Sequence, residues 1–143
     1  MFYRTDLSNY TETDYPKTAA VKATDELNNY YEKNKDTYQF DQGFLGEASM
    51  ADDVFSNKSK YSTEFFESNF LLFIILEEGS GSVRHRVENV VPTNGSLSVN
   101  ITRIIPEIGT ADMAQWHIVL ELDKSLADLE VAVIVKDEHL TDI

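Results

Sequence analysis

At 143 residues the chain is the size of one ordinary domain, long enough to bury a core without covalent staples. Hydrophobic residues make up 42% and aromatics 11%, a composition that folds and excludes a disordered acidic tail. With 25 acidic against 12 basic residues the net charge is −13, so the surface repels nucleic-acid phosphates and anionic lipid headgroups, and no nucleic acid is expected as a partner.

Cysteine is absent, which removes disulfides, thiolate nucleophiles and sulfur-ligated metals together and leaves the compartment open. The opening Met1-Phe2-Tyr3-Arg4-Thr5-Asp6 has no apolar stretch of the signal-peptide kind. It reads either as a native start or as a mature segment given a Met1. The longest apolar run, 70–76, is too short to span a bilayer, so no transmembrane segment is expected.

Residues 1–16 are polar, dotted with tyrosine and end in Pro16; they are expected to form a flexible leader ahead of a single α+β domain over 17–143. Residues 19–23 suit a short edge strand. Thr24 reads as an N-cap, with Asp25 and Glu26 in the first turn where the helix dipole favours anions. Leu27, Tyr30 and Tyr31 make one apolar stripe, and the helix is expected to stop near Asn34. Tyr38 and Phe40 then alternate with polar neighbours, and Gly43 and Gly46 break the chain. Ser49 and Ser62 read as caps of two short helices, the first carrying Met50, Val54 and Phe55, the second Phe65 and Phe66.

The second half is β. The segment 70–77, continuously apolar through Leu76, predicts a central strand covered on both faces. Gly79-Ser80-Gly81-Ser82 turns the chain, and Val83, His85 and Val87 alternate with Arg84, Arg86 and Glu88. Asn94-Gly95 is a hairpin signal, because both residues tolerate positive φ. Leu97, Val99 and Ile101 alternate with polar residues, Trp116, Ile118, Leu120 and Leu122 alternate again, and a last strand covers about 129–135. Short links between five such strands predict an antiparallel meander. The fold class expected is therefore α+β: an antiparallel sheet or small sandwich of five to six strands with short N-terminal helices packed on it.

Catalytic and metal chemistry finds little purchase. His85 and His117 each fall inside a strand and read as sheet-surface histidines, with no serine or carboxylate partner implied by spacing; His139 lies in the tail. Neighbouring strands with matching faces would make the first two a metal or pH-sensing pair. Asp36, Asp41, Glu47, Asp52 and Asp53 do not match a calcium loop and read as a solvated acidic face. No cofactor and no metal is expected. A glycosidase-type carboxylate pair is open to any two of the 25 acids, and nothing singles two out.

Two loops are the candidate binding elements. The first is Gly79, Ser80, Gly81 and Ser82, followed by Arg84 and Arg86 on one sheet face, where they would clamp a carboxylate or pair with nearby acids. The second is 106–113, with Ile108, Thr110 and Asp112 at its tip, ahead of Trp116, itself expected in the core. The Asn-x-Ser/Thr triplets at Asn9, Asn57, Asn94 and Asn100 would matter only in a glycosylating host.

Over 61–124 the chain resembles small uncharacterised proteins and lipoproteins of Firmicutes-type bacteria. Phe65-Phe66, the run 71–76, the segment from Gly79 to His85, Arg103-Ile104-Ile105-Pro106 and the segment from Thr110 to Trp116 carry that resemblance. The order of short aromatic helix, apolar strand, small-residue loop and hairpin is also similar to the C-terminal domain of PrcB-type protease-complex subunits. That family carries a Thr-Gly-Gly-Tyr-like loop where this chain reads Ser80-Gly81-Ser82-Val83, without the aromatic. The resemblance implies an extracytoplasmic, membrane-tethered domain with a binding role and no catalytic residues. The cysteine that lipidation requires is missing from this sequence.

The leading expectation is therefore a non-catalytic module of a bacterial envelope protein, binding another envelope protein or a peptide through the two loops or an open sheet edge. The alternative is an acidic-residue hydrolase or carbohydrate-binding domain, which requires two carboxylates across a cleft, one with a raised pKa. A plain spacer domain is the third. Oligomeric state is left open.

Overall fold

The computed structural model describes residues 1–5, 15–41, 49–56, 59–110 and 113–140. In chain order its main elements are β1 (Phe2–Arg4), β2 (Lys17–Val21), α1 (Thr24–Tyr38), α2 (Thr63–Ser68), β3 (Asn69–Glu78), β4 (Arg84–Thr93), β5 (Ser96–Ile105), β6 (Ala114–Asp123) and β7 (Glu130–His139). The class is α+β, with strands mostly antiparallel and divided between two sheets. The stretch 17–143, read from sequence as one body, is split between two compact units: residues 1–77 with 114–127, and residues 78–113 with 128–143.

The first unit is built on a four-stranded sheet in the order β1-β6-β3-β2. Its interior strand β3 is the predicted apolar run, buried from Phe70 to Leu76 on both faces. Leu71, Phe73 and Ile75 on one face join a core that includes Val21, Leu27 and Phe40. At the edge β2 pairs with β3 from Lys17↔Ile75 to Val21↔Leu71, close to the expected edge strand.

Helix α1 begins at Thr24, one residue after an extended Ala23, so Thr24 is the first helical residue rather than the cap. It also runs past Asn34 to Tyr38, where Gln39 closes it in the left-handed region at φ 53°. Tyr38 lies three turns beyond Leu27 on the same stripe and is buried, which is why the helix outlasts its polar Asn34-Lys35-Asp36 segment. Ser49 Oγ accepts from the Asp52 N–H at 3.1 Å, just ahead of a single π-type turn over Ala51–Phe55 whose N-cap is Met50 rather than the expected Ser49. Ser62 occupies the N-cap of α2.

Within residues 1–5, read as part of a loose leader, Phe2–Arg4 form the strand β1. Phe2 to Arg4 pair antiparallel with Ile118 to Trp116, the Met1 amino group donates to the Val119 carbonyl at 3.1 Å, and the Thr5 N–H donates to the Gln115 carbonyl at 2.7 Å. Burial of Tyr3 anchors the segment. The remainder of the expected leader up to residue 14, together with Gly43, Gly46, Glu47, Asn9 and Asn57, lies outside the described residues.

The second unit holds a three-stranded sheet in the order β4-β5-β7. Leu97, Val99 and Ile101 point to one face of β5 and are buried, as their alternation predicts. The hairpin between β4 and β5 turns at Asn94-Gly95, with only Gly95 at positive φ, 77°. A bulge at Glu88 shifts the register between Val87↔Ile101 and Asn89↔Asn100. The expected meander ends here, because β7 pairs parallel with β5, while β6 belongs to the other sheet. Short links do not make neighbours, and β6, buried from Ala114 to Val119, takes an interior place between β1 and β3.

An alanine side chain at position 95 would touch nothing within 4 Å, so only backbone strain opposes it. Gly95→Ala is therefore expected to cost about 1 kcal/mol in urea unfolding, with an unchanged m-value.

Candidate functional site

The two loops singled out by sequence meet in the second unit. The Ser80 hydroxyl lies 2.8 Å from the Ser82 hydroxyl and 3.1 Å from that of Thr110, whose N–H donates to Ser82 Oγ at 3.2 Å. Gly109 makes the approach possible, since a Cβ there would stand 3.0 Å from Ser80 Oγ. Gly79 faces open space, so its glycine is not required for room. Beside this hydroxyl cluster Ile108 is 83% exposed and Met113 58% exposed. Asp112 lies outside the described residues.

Arg84 and Arg86 share a sheet face, as their alternation predicts, but each is engaged within the chain. Arg84 Nη1 donates to the carbonyls of Gly81 at 2.7 Å and Val83 at 3.2 Å, bracing its own loop. Arg86 pairs with Glu88 and, at 3.5 Å, with Glu138. The acid pairing weighed from sequence is thus what Arg86 does, and neither guanidinium is set aside for a ligand carboxylate.

Sequence reasoning missed the group on which these loops are rooted. Glu78, the last residue of β3, is only 2% exposed and accepts from Arg103 Nε at 2.7 and 2.9 Å on its two oxygens. Arg103 Nη1 reaches Asp137 on β7 at 2.8 Å, and His85 Nε2 lies 3.8 Å from Glu78. Burial pushes the Glu78 carboxyl up, but the neighbouring His85 and the hydrogen bonds from Arg103 outweigh it and hold the group below the usual range. Glu78 and His85 flank the first loop, and Arg103 stands just before the second. One signal was available: Arg103 continues the inward parity of Leu97, Val99 and Ile101.

Both strand histidines are buried, not on a sheet surface as expected. They also lie in different sheets, so they form no strand-neighbour pair. His117, fully enclosed in the first unit, has Thr5 Oγ1 3.0 Å from Nδ1 and Tyr30 Oη 3.0 Å from Nε2. Thr5 also points its hydroxyl at the Gln115 carbonyl, 3.5 Å away. One hydrogen arrangement serves all three contacts: Tyr30 donates to Nε2, Nδ1 donates to Thr5, and Thr5 donates to Gln115. Tyr38 and Phe40 meet the imidazole edge-on. Burial drives its pKa from 6.5 down to about 3, so the ring is neutral at physiological pH and links three elements.

Two acids of the stretch meet tyrosines. Asp41 accepts from Tyr31 at 2.6 Å and Asp53 from Tyr3 at 3.0 Å, which spreads these charges apart. Among the described residues no three metal-ligating side chains gather. Glu88 and Asp123, like Glu78, are held below the carboxylate range, Glu88 by Arg86 and Asp123 by Ser125, the reverse of what a general acid needs. No helix among the described residues is long and apolar enough to cross a membrane. Compared with known proteins, the chain matches no family model, no curated protein and no solved structure.

Removing Arg103 strands a buried carboxylate. Arg103→Met is expected to lower unfolding free energy by about 2 kcal/mol, discounted for the partly exposed guanidinium, and Glu78→Gln in the same chain should recover part of it in a double-mutant cycle. A second expectation concerns pH. The unfolded chain protonates His117 near pH 6.5 while the folded chain resists to about 3, so stability is full above 6.5 and falls as pH drops. Urea unfolding at pH 7 and pH 5 should show a loss of about 2 kcal/mol from this residue. The loss should be much smaller in His117→Gln.

Proposed function

We propose that this chain is a non-catalytic protein- or peptide-interaction module whose contact surface is the paired loops 79–82 and 106–113. The observation that carries this reading is the exposure of Ile108 beside a hydroxyl cluster that joins the two loops. Apolar side chains held at the tip of a braced loop favour association, because little conformational freedom is left to lose on contact. Ser80, Ser82 and Thr110 offer hydroxyls that both donate and accept, suited to the backbone of a bound segment. An extracytoplasmic setting, membrane-tethered where a lipidated segment precedes the chain, belongs to the same reading and rests on the resemblance over 61–124.

Selection of peptides from a random displayed library against the 143-residue protein tests the assignment. Ile108→Asp should weaken the selected peptides about tenfold or more while leaving the melting temperature unchanged, because the side chain packs against little. Val91→Asp, on the exposed face of β4, should leave binding intact. Equal affinity for wild type and Ile108→Asp would remove the loops from the contact.

A further inference from the structure

Strand β7 forms one edge of the second sheet. It pairs with β5 along its whole length, from Ser96↔Glu130 to Ile105↔His139, and among the described residues no strand stands on its other side. An open edge displays unpaired N–H and C=O groups, and soluble proteins guard such edges with charges, proline or a bulge. The opposite edge strand, β4, has all three: Arg84, Arg86 and Glu88, the bulge after Val87, and Pro92. Across Val131-Ala132-Val133-Ile134-Val135, β7 has none. Those valines are only half-buried although their register partners Leu97, Val99 and Ile101 are fully buried, and Ile134 is 42% exposed.

The charges at the two ends of this apolar stretch show what would cover it. Glu130 and Lys136 are both exposed, sit on the same face of the strand by parity, and flank Val133 symmetrically. Among the described residues neither is in an ion pair, whereas Asp137 and Glu138 are occupied by Arg103 and Arg86. Laid antiparallel on itself with Val133 at the two-fold axis, β7 brings Glu130 opposite Lys136 of the second copy, twice by symmetry. Val131 then faces Val135, and Ala132 faces Ile134. Centring on Ala132 instead sets Glu130 against Ile134, and centring on Ile134 sets Glu130 against Glu138. Of these three registers only the one on Val133 matches both charge and hydrophobicity.

We propose that β7 is a homodimerisation edge: two copies pair antiparallel about Val133, joining their three-stranded sheets into one continuous sheet across a two-fold axis.

Sedimentation of the full chain over a concentration series tests this, with circular dichroism to confirm folding. Wild type is expected to dimerise. Glu130→Lys or Lys136→Glu alone should weaken the dimer about tenfold, since each sets like charges opposite at two places, and the double exchange should restore it. In this cysteine-free chain Val133→Cys should cross-link to a dimer when diamide takes up the two thiol protons and two electrons. Lys136→Cys, displaced about 20 Å from its own copy across the axis, should not. A wild type that stays monomeric to about 1 mM, single exchanges without effect, or cross-linking at 136 as fast as at 133 would each overturn the proposal.

Discussion

A carboxylate taken out of water must be paired, and in this protein Glu78 is paired by Arg103. The second unit is arranged around that requirement. Glu78 ends β3, His85 lies beside it near the start of β4, Arg103 lies near the end of β5, and Asp137 on β7 takes the guanidinium's remaining reach. A buried ion pair adds little net stability over a well-packed apolar replacement. What it supplies here is direction: a planar fork of N–H groups faces fixed acceptors, so four chain segments stand in one register. The loops that follow Glu78 and Arg103 therefore start from held stems, and their contact through Ser80 and Thr110 follows from where those stems end.

The first unit solves a similar problem with a neutral group. His117 is enclosed by aromatic edges and carries one hydrogen-bonding nitrogen toward α1 and one toward the end of β1. A neutral imidazole is a donor on one side and an acceptor on the other, so a buried site can satisfy it without a counter-ion. The two buried strand histidines thus serve opposite electrostatics, one beside a carboxylate and one among rings. Sequence shows both as alternating strand residues and distinguishes them in no way.

Legibility followed the range of the forces involved. The apolar run of β3, the alternation in β5, the Asn94-Gly95 turn and the Ser62 cap were readable because each depends on neighbours a few residues away. The end of α1 was misjudged because tertiary burial of Tyr38 outweighed a polar local segment. The parallel place of β7 and the pairing of β1 with β6 could not be read, since nothing local states which strand lies beside which. At the candidate site the loops were visible as turn chemistry. The Glu78–Arg103 pair was not, because its members are joined only through the folded sheet, although the parity of Arg103 was in view.

The order of pairing also bears on how the chain acquires its structure during synthesis. Strand β1 is made first, yet its partner β6 begins at Ala114; strand β5 must wait for β7, which begins at Glu130. The segments of the two units interleave along the chain, and each sheet is completed by a strand made near its end. Contacts this distant in sequence form slowly, because the loop entropy must be lost before the contact repays it. A nascent chain emerging at roughly 5–20 residues per second accordingly presents one open edge of β3 until β6 arrives to flank it. The first sheet can close once β6 ends at Asp123, whereas the second waits for β7, which ends at His139, so each unit closes only when its last-made strand arrives.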